Sequence, residues 1–239
     1  MNYRNALKNL AFFLLDQRKQ RGFHLLNDVR YLSKATSKPI DVIFDVGANI
    51  GQSTIEYKSY FPNAEVHAFE PINPTFEKLK SNVSTLNSVY PNKFALSSSS
   101  GSKEIYLSAS SLTNSLRNDV TNQSKPRDSQ IIYTNTLDNY LKEKSLDKID
   151  FLKTDTEGHD LEVLKGGSTL LDKGYIYFLV TEVTFDPKNK AQTRFIDINE
   201  FLWDKGYGLV GFYDWRYKNN TVATIHYCNA LYMLDELNN

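Results

Sequence analysis

Asp45-Val46-Gly47-Ala48-Asn49-Ile50-Gly51 closes a short apolar run that begins at Asp41 and opens a stretch, Gln52 to Tyr60, that can wind as a helix. The run from Asp41 to Val46 is rich in β-formers and nearly continuous in apolar character, as a strand buried on both faces of a parallel sheet must be. Gly47 and Gly51 allow the backbone to turn sharply and leave room for a ligand to come close. The helix that follows offers unpaired N–H groups at its start. A strand, tight turn and helix in this order suit a nucleotide-like ligand without naming it.

The next strand, Glu65 to Phe69, ends on Glu70-Pro71, and Glu70 lies 25 positions after Asp45. In a nucleoside-binding βαβ unit an acidic side chain at the end of strand two accepts hydrogen bonds from the ribose hydroxyls, at about 20 residues beyond the glycine loop. The bland alternative is a surface glutamate before a proline. A dinucleotide fingerprint requires G-x-G-x-x-G, and Asn49 stands where the second glycine belongs. That glycine lets backbone approach a pyrophosphate. No GK[ST] follows the turn, which removes a P-loop. A ligand with ribose and adenine but no phosphate, S-adenosylmethionine, suits this turn.

Beyond this unit the strand and helix signals keep alternating. Pro74 to Asn87 reads as a helix with the stripe Phe76, Leu79 and Val83, and Lys93 to Leu96 as the third strand. Ser97 to Ser102 is a turn, Lys103 to Leu107 an edge strand, Ser108 to Ser129 a polar loop, and Ile131 to Asn135 a further strand. Thr136 caps a helix that presents Leu137, Tyr140 and Leu141. Lys148 to Lys153 is the fourth parallel strand, Asp160 to Leu171 a helix, and Tyr175 to Val183 the fifth strand. Gln192 to Lys205 is a helix ended by Gly206, and Tyr207 to Phe212 and His226 to Leu234 complete the sheet. This order predicts an α/β fold with crossover helices on a parallel sheet. Leu7, Leu10, Leu14, Leu25, Leu26 and Val29 recur at helical spacing before Pro39, so residues 1–37 read as a helical cap and 38–239 as the main domain.

The 239 residues carry 28 basic and 28 acidic side chains, a neutral balance that argues against a nucleic-acid partner. The one cysteine, Cys228, can form neither an internal disulfide nor a thiolate zinc site, which fits a reducing compartment and a cytoplasmic protein. Ala11 to Leu15 is too short an apolar run to span a membrane.

A third signal sits at the end of strand four: Phe151-Leu-Lys153-Thr-Asp155-Thr-Glu157-Gly-His159-Asp160, then Val163-Leu-Lys-Gly166. Open α/β sheets bind ligands at this end. Asp155 and Glu157 could equally favour the positive end of the helix that follows, and that reading is the better one for Asp160.

Together, Asp45 to Gly51, Phe69-Glu70-Pro71, Asn114-Ser115-Leu116, Thr136-Leu137-Asp138, Lys153 to Gly158 and Val163 to Gly166 resemble the FkbM family of methyltransferases, over about Asp41 to Glu182. The resemblance implies the class I methyltransferase fold: a Rossmann-like, seven-stranded, mostly parallel sheet with helices on both faces and the last strand antiparallel, here with an N-terminal helical extension. It implies O-methylation of a sugar or natural product. Gly47, Ala48, Asn49 and Gly51 would line the methionine and ribose of the cofactor, with Asp45 orienting the loop or the amino-acid end. Glu70, before Pro71, would hold the ribose hydroxyls, Asn82 would support the loop, and Ala95 and Leu96 would flank the adenine. Asp155 would lie near the methionine end and the acceptor, and Asn114, Ser115 and Leu116 would help close the acceptor site. Asp160 stands where the family often has glutamate.

A hydroxyl must lose its proton as it attacks, so a general base is useful. The order of candidates is Glu157, Asp155, Glu182, then His159, for which an exposed place in the first turn of a helix is the preferred reading. No obligate metal is expected, although such an acidic cluster could hold magnesium. The expected partner is a small-molecule or glycan acceptor. Phe212, Tyr213, Trp215, Tyr217 and Tyr227 read as core or an oligomer interface, ahead of a sugar-stacking platform. Two other classes compete: an NAD-dependent oxidoreductase, disfavoured by Asn49, and a non-catalytic adenosine-binding protein, disfavoured by intact cofactor motifs. A nucleic-acid base methyltransferase would carry an N-P-P-Y-type motif where this chain has Asp155-Thr-Glu-Gly158.

Overall fold

The computed structural model describes residues 22, 24–106, 129–218 and 224–235. The chain opens with helix α1 (Leu25–Ala35), then alternates β1 (Val42–Val46), α2 (Gln52–Tyr60), β2 (Glu65–Phe69), α3 (Asn73–Asn82) and β3 (Val89–Asn92). Next come β4 (Ala95–Leu96), β5 (Gly101–Tyr106), β6 (Ser129–Asn135) and α4 (Leu137–Lys144). The second half holds β7 (Ile149–Thr154), α5 (Asp160–Lys165), α6 (Ser168–Asp172), β8 (Ile176–Thr184), β9 (Thr193–Arg194), α7 (Phe195–Trp203), β10 (Tyr207–Tyr217) and β11 (Ile225–Leu234).

The main sheet runs β10-β11-β8-β7-β1-β2-β3. All pairings from β3 to β8 are parallel, whereas β11 is antiparallel to both β8 and β10. The seven-stranded path with its antiparallel last strand is therefore present. The count rises to eight because Thr193–Arg194 pairs with Val183–Thr184, where β8 extends past the end of β7. Strand β11 lies between β8 and β10 and antiparallel to both, a departure from the mostly parallel dinucleotide-binding sheet. The chain travels outward from β1 through β2 to β3, returns to β7, and then travels the other way to β8. Right-handed crossovers then require α2 and α3 on one face and α4 to α7 on the other. The reversal between β1 and β7 opens a crevice at their carboxyl ends.

The core follows from the strand composition. Ile43, Phe44, Phe151, Leu152, Phe178 and Leu179 are fully buried, because the central strands are covered on both faces. Tyr140 anchors α4 against the sheet, with its ring 4.9 Å from Phe69 and 5.5 Å from Phe44. Asp28 of α1 accepts from Tyr213 of β10 at 2.7 Å, fastening the helix preceding β1 to the far strand of the sheet.

Four local expectations are corrected. The third strand is Val89–Asn92, and Ala95–Leu96 belongs instead to a separate sheet, β4-β6-β5. Pro91 masks the strand in sequence because it lacks an N–H, but β3 is an edge strand, where proline is tolerated. The helix expected over Asp160–Leu171 breaks at Gly166–Gly167 into α5 and α6. A Cβ on Gly166 would lie 2.0 Å from the Ser97 carbonyl oxygen, so only glycine lets the two segments touch there. Asp138 caps the new start, accepting from Thr169 N and Leu170 N at 3.2 Å each. Finally, α3 ends at Asn82 rather than Asn87, and α7 starts at Phe195 because the two residues before it are claimed by β9.

Candidate active site

The turn after β1 is stitched to both neighbouring strands. Gly47 N and Ala48 N donate to Phe69 O at 3.1 and 3.0 Å, and Asp155 N donates to Val46 O at 3.1 Å. Gly47 has φ +76° and a Cβ there would meet the Asp155 carbonyl oxygen at 1.9 Å. Asn49 also adopts a positive φ, 50°, a conformation asparagine tolerates better than most residues. Asn82 Nδ2 donates to Ile50 O at 2.8 Å, tying the turn to α3. Gly51 packs on Leu79 of that helix and on Val83, which caps its end.

Below the turn lies a buried charge cluster. Asp45, fully buried, accepts from Ser53 Oγ at 2.7 Å and Thr54 Oγ1 at 2.6 Å. Its other oxygen is 3.2 Å from Lys153 Nζ, which also donates to Gly47 O at 3.0 Å and stands 3.5 Å from Asp155. Burial works against the lysine charge, but the carboxylates of Asp45 and Asp155 outweigh it and raise its pKa. Lys153 was not singled out from the sequence, although it stands inside the Lys153-Thr-Asp155 motif. A lysine in a strand ordinarily reads as an edge or surface residue.

Above the turn is a cavity of about 320 Å³, within the range of small-molecule sites. It brings together Gly47, Asn49, Glu70, Pro71, Ala95, Leu96, Asp155, Glu157, His159 and Glu182. Val46, Phe69, Ile72, Ile105, Thr156 and Tyr227 complete it. Ala48 faces a second cavity, on the other side of the turn, that also reaches Lys153, Asp214 and Asn229. Asp45, Gly51 and Asn82 line neither, and Asn114, Ser115 and Leu116 lie outside the described residues. Because Glu70 directly follows β2 and Glu182 lies near the end of β8, three strands away, the cavity spans about 14 Å of sheet width.

Its two ends differ in chemistry. At the β2 end Phe69, Ile72, Ala95, Leu96 and Ile105 form an apolar slot beside Glu70, whose Oε1 accepts from Ile72 N at 2.8 Å. Burial pushes the Glu70 carboxyl up to about 7, against the opposing pull of that bond and one from Asn49 N. At the β7 and β8 end the acids crowd one another. Glu157, at φ 52°, is raised to about 8 by burial and then by Asp155 and Asp160. Glu182 is raised well above its usual range by burial and the same two aspartates. Asp160 is fully buried and raised to about 6, again first by burial. It does not line the cavity and braces the loop, accepting from Thr156 N at 3.1 Å and Thr193 Oγ1 at 3.3 Å.

His159 is buried rather than exposed, only 8% accessible, with Nε2 3.0 Å from Ser97 Oγ. Gly166 admits the Ser97 backbone against α5, and that close approach covers the imidazole. Lys103 Nζ donates to the same hydroxyl at 2.6 Å.

A model of the methyltransferase FkbM domain matches residues 45–209. The chain belongs to the FkbM methyltransferase family. Hexuronic acid methyltransferase AglP of Haloferax volcanii is 33% identical over 165 residues, 68% of this chain and 64% of that one. The chain thus matches a little under two thirds of AglP. The 2-O-methyltransferase NoeI of Sinorhizobium fredii is 26% identical over 165 residues, 64% of this chain and 67% of that one. The solved METTL16 methyltransferase domain superposes with a TM-score of 0.51 at 12% identity, over 88% of this chain and 68% of that one, a likeness of fold alone.

The methyl donor of the FkbM family is S-adenosylmethionine, and the residues present fit it. Asn49 Oδ1, on a cavity-lining residue, is a buried side-chain oxygen with no hydrogen-bond partner among the described residues. Such groups are rare without a ligand or water to satisfy them. The apolar slot beside Glu70 suits an adenosine, and the acids around Asp155 suit a cation.

Proposed function

We propose that this FkbM protein transfers a methyl group from S-adenosylmethionine to a hydroxyl oxygen of a sugar, free or within a glycan. The observation that carries the reading is the division of one cavity into an adenosine-like end at Glu70 and an acidic end at Glu157 and Glu182. The names of the two relatives, a hexuronic acid methyltransferase and a 2-O-methyltransferase, favour a sugar hydroxyl as acceptor.

The bound cofactor supplies a methyl already activated on a sulfonium. The protein has to hold the acceptor oxygen in line and take its proton, and orientation supplies much of the rate. Glu70 and the side-chain oxygen of Asn49 hold the donor. Glu157 receives the acceptor proton, since a carboxylate whose pKa lies near the working pH is an effective base. Glu182 orients the acceptor beside it. Asp155, held by Lys153, provides negative charge between the two ends.

The deciding experiment is mass spectrometry of hexuronate-bearing and neutral saccharides after incubation with the purified protein and methyl-labelled S-adenosylmethionine. One labelled methyl on a ring oxygen is expected. Labelling only at nitrogen or carbon, or none on any saccharide while the cofactor binds, would overturn the proposal.

A further inference from the structure

The short strand β9 begins where β7 stops. Strand β7 last pairs with β8 at Thr154 and Thr181, and Thr193 takes up that edge of β8 beside Val183. The other edge of β8 is held by β11, with Asn229 beside Glu182. One step before the Val183–Thr193 pair, Glu182 and Gln192 meet on the same face, since side chains at matched positions of parallel strands point the same way. Glu182 lines the cavity, whereas Gln192 does not and is only 6% exposed. Thr193 Oγ1 donates to Asp160 at 3.3 Å, which ties β9 to α5 as well.

The direction of the Gln192 amide is set by the loop before it. Ala191 N, which can only donate, gives its hydrogen to Asn189 Oδ1 at 2.9 Å. The Asn189 amide nitrogen must then face the other way, and it donates to Gln192 Oε1 at 2.7 Å. That leaves the Gln192 Nε2 hydrogens for the Glu182 carboxyl, to which the Gln192 side chain is hydrogen-bonded. Asn189 is also buried, 8% exposed, so this chain of bonds runs inside the protein. Neither amide can turn over, because a turn would set two donors or two acceptors face to face. One backbone N–H thereby governs, through two amides, how a carboxyl of the cavity is held. Burial raises the pKa of Glu182, Asp155, Asp160 and Glu157 raise it further, and the bond from Gln192 opposes them.

We infer that Gln192 is a positioning residue for the acceptor: it holds the Glu182 carboxyl in the orientation that receives an acceptor hydroxyl, while Asn189 and β9 hold Gln192. This rests on the reading of the cavity as a sugar methylation site. A carboxylate accepts along several lone-pair directions, so the amide orients it and still leaves it able to accept from a hydroxyl. Without that bond the carboxyl is free to turn away from the neighbouring acids, and the acceptor has to order it on binding. Because Gln192 does not line the cavity, its influence reaches the acceptor only through Glu182.

Gln192→Met keeps the length of the side chain and removes the donor. It should raise KM for the methylated saccharide about tenfold, the worth of one hydrogen bond, and leave kcat and the dissociation constant of S-adenosylmethionine within about twofold. In a Glu182→Met background the same change should move KM by no more than about twofold, because its route to the acceptor is already gone. An equal loss in both backgrounds, or an unchanged KM in the first, overturns the inference. A second readout needs no turnover. In urea unfolding of the ligand-free protein, the unfolding constant of the double variant should depart from the product of the two single effects by about fivefold or more. Effects that simply multiply would overturn the inference too. Methylation of no saccharide would sink the proposed function and the acceptor role with it, whereas an unmoved KM alongside methylation, or a multiplicative cycle, would sink the positioning alone.

Discussion

Two residues carry most of the site's unusual electrostatics, Glu157 and Lys153. Glu157 is an acid held protonated near neutrality by burial among other acids, so its basic form accumulates only as pH rises through about 8. Turnover under saturating cofactor should climb with pH and level off above that point. Glu157→Gln should cut kcat by about 100-fold or more, the usual worth of a general base, and change cofactor affinity less than threefold by calorimetry. Retained turnover in that variant would move the role to Glu182. Lys153 answers the buried charge of Asp45. Removing one member of such a pair costs about 3–5 kcal/mol, because the other charge is stranded. Lys153→Met should therefore destabilise the protein strongly in denaturant unfolding, and adding Asp45→Asn should recover part of the loss. Equal stability of the single and double variants would show that the pair is not coupled.

At the scale of elements, the turn between β1 and α2 is fixed by its neighbours as much as by its glycines. Gly47 is pressed against the backbone at the end of β7, so Gly47→Ala must either push the turn away or separate β1 from β7. The expected outcome is loss of S-adenosylmethionine binding by calorimetry with the far-ultraviolet circular dichroism retained. Cofactor binding within threefold of wild type would show that the turn relaxes without cost to the site. Gly166 plays the corresponding part for α5: it lets Ser97 approach the helix, and Ser97 in turn meets His159.

For the molecule as a whole, several acids are buried where the unfolded chain would leave them in water. Glu70 and Glu157 are raised from 4.5 to about 7 and about 8, and Asp160 from 3.8 to about 6. A raised carboxyl favours the fold while protonated in both states, below its unfolded pKa, and that contribution is lost as pH rises through the folded value. Stability of the ligand-free protein should therefore fall between about pH 5 and 8.5. Glu70→Gln should remove about 3 kcal/mol of that dependence, from the size of its shift. Urea titrations at both pH values check this, and an unchanged slope in the variant would refute it. Cofactor at 100 times its dissociation constant should add about 2.7 kcal/mol, a rise in Tm of about 5–10 °C. Gly47→Ala should abolish that rise.

The sequence alone determined the βαβ frame, the turn at Gly47–Gly51, the acid directly after β2 and the departure of that turn from the phosphate-binding glycine patterns. Each of these is written in residues close together in the chain, through hydrophobic period, glycine freedom and the fixed length of one βα unit. The edge strand Val89–Asn92 was hidden because Pro91 argues against a strand unless the sheet ends there, which only topology shows. The burial of His159, the Lys153–Asp45 pair and the split of the helix at Gly166 were equally hidden. They depend on contacts between segments far apart in sequence: β1 with β7, and Ser97 with α5. Strand order alone set Glu182 and Tyr227 beside Glu157, because β11 inserts between β8 and β10 only in the folded sheet. Local sequence fixes what each segment prefers to be, but the environment that shifts a carboxyl or covers an imidazole is made by whichever distant segment lies against it.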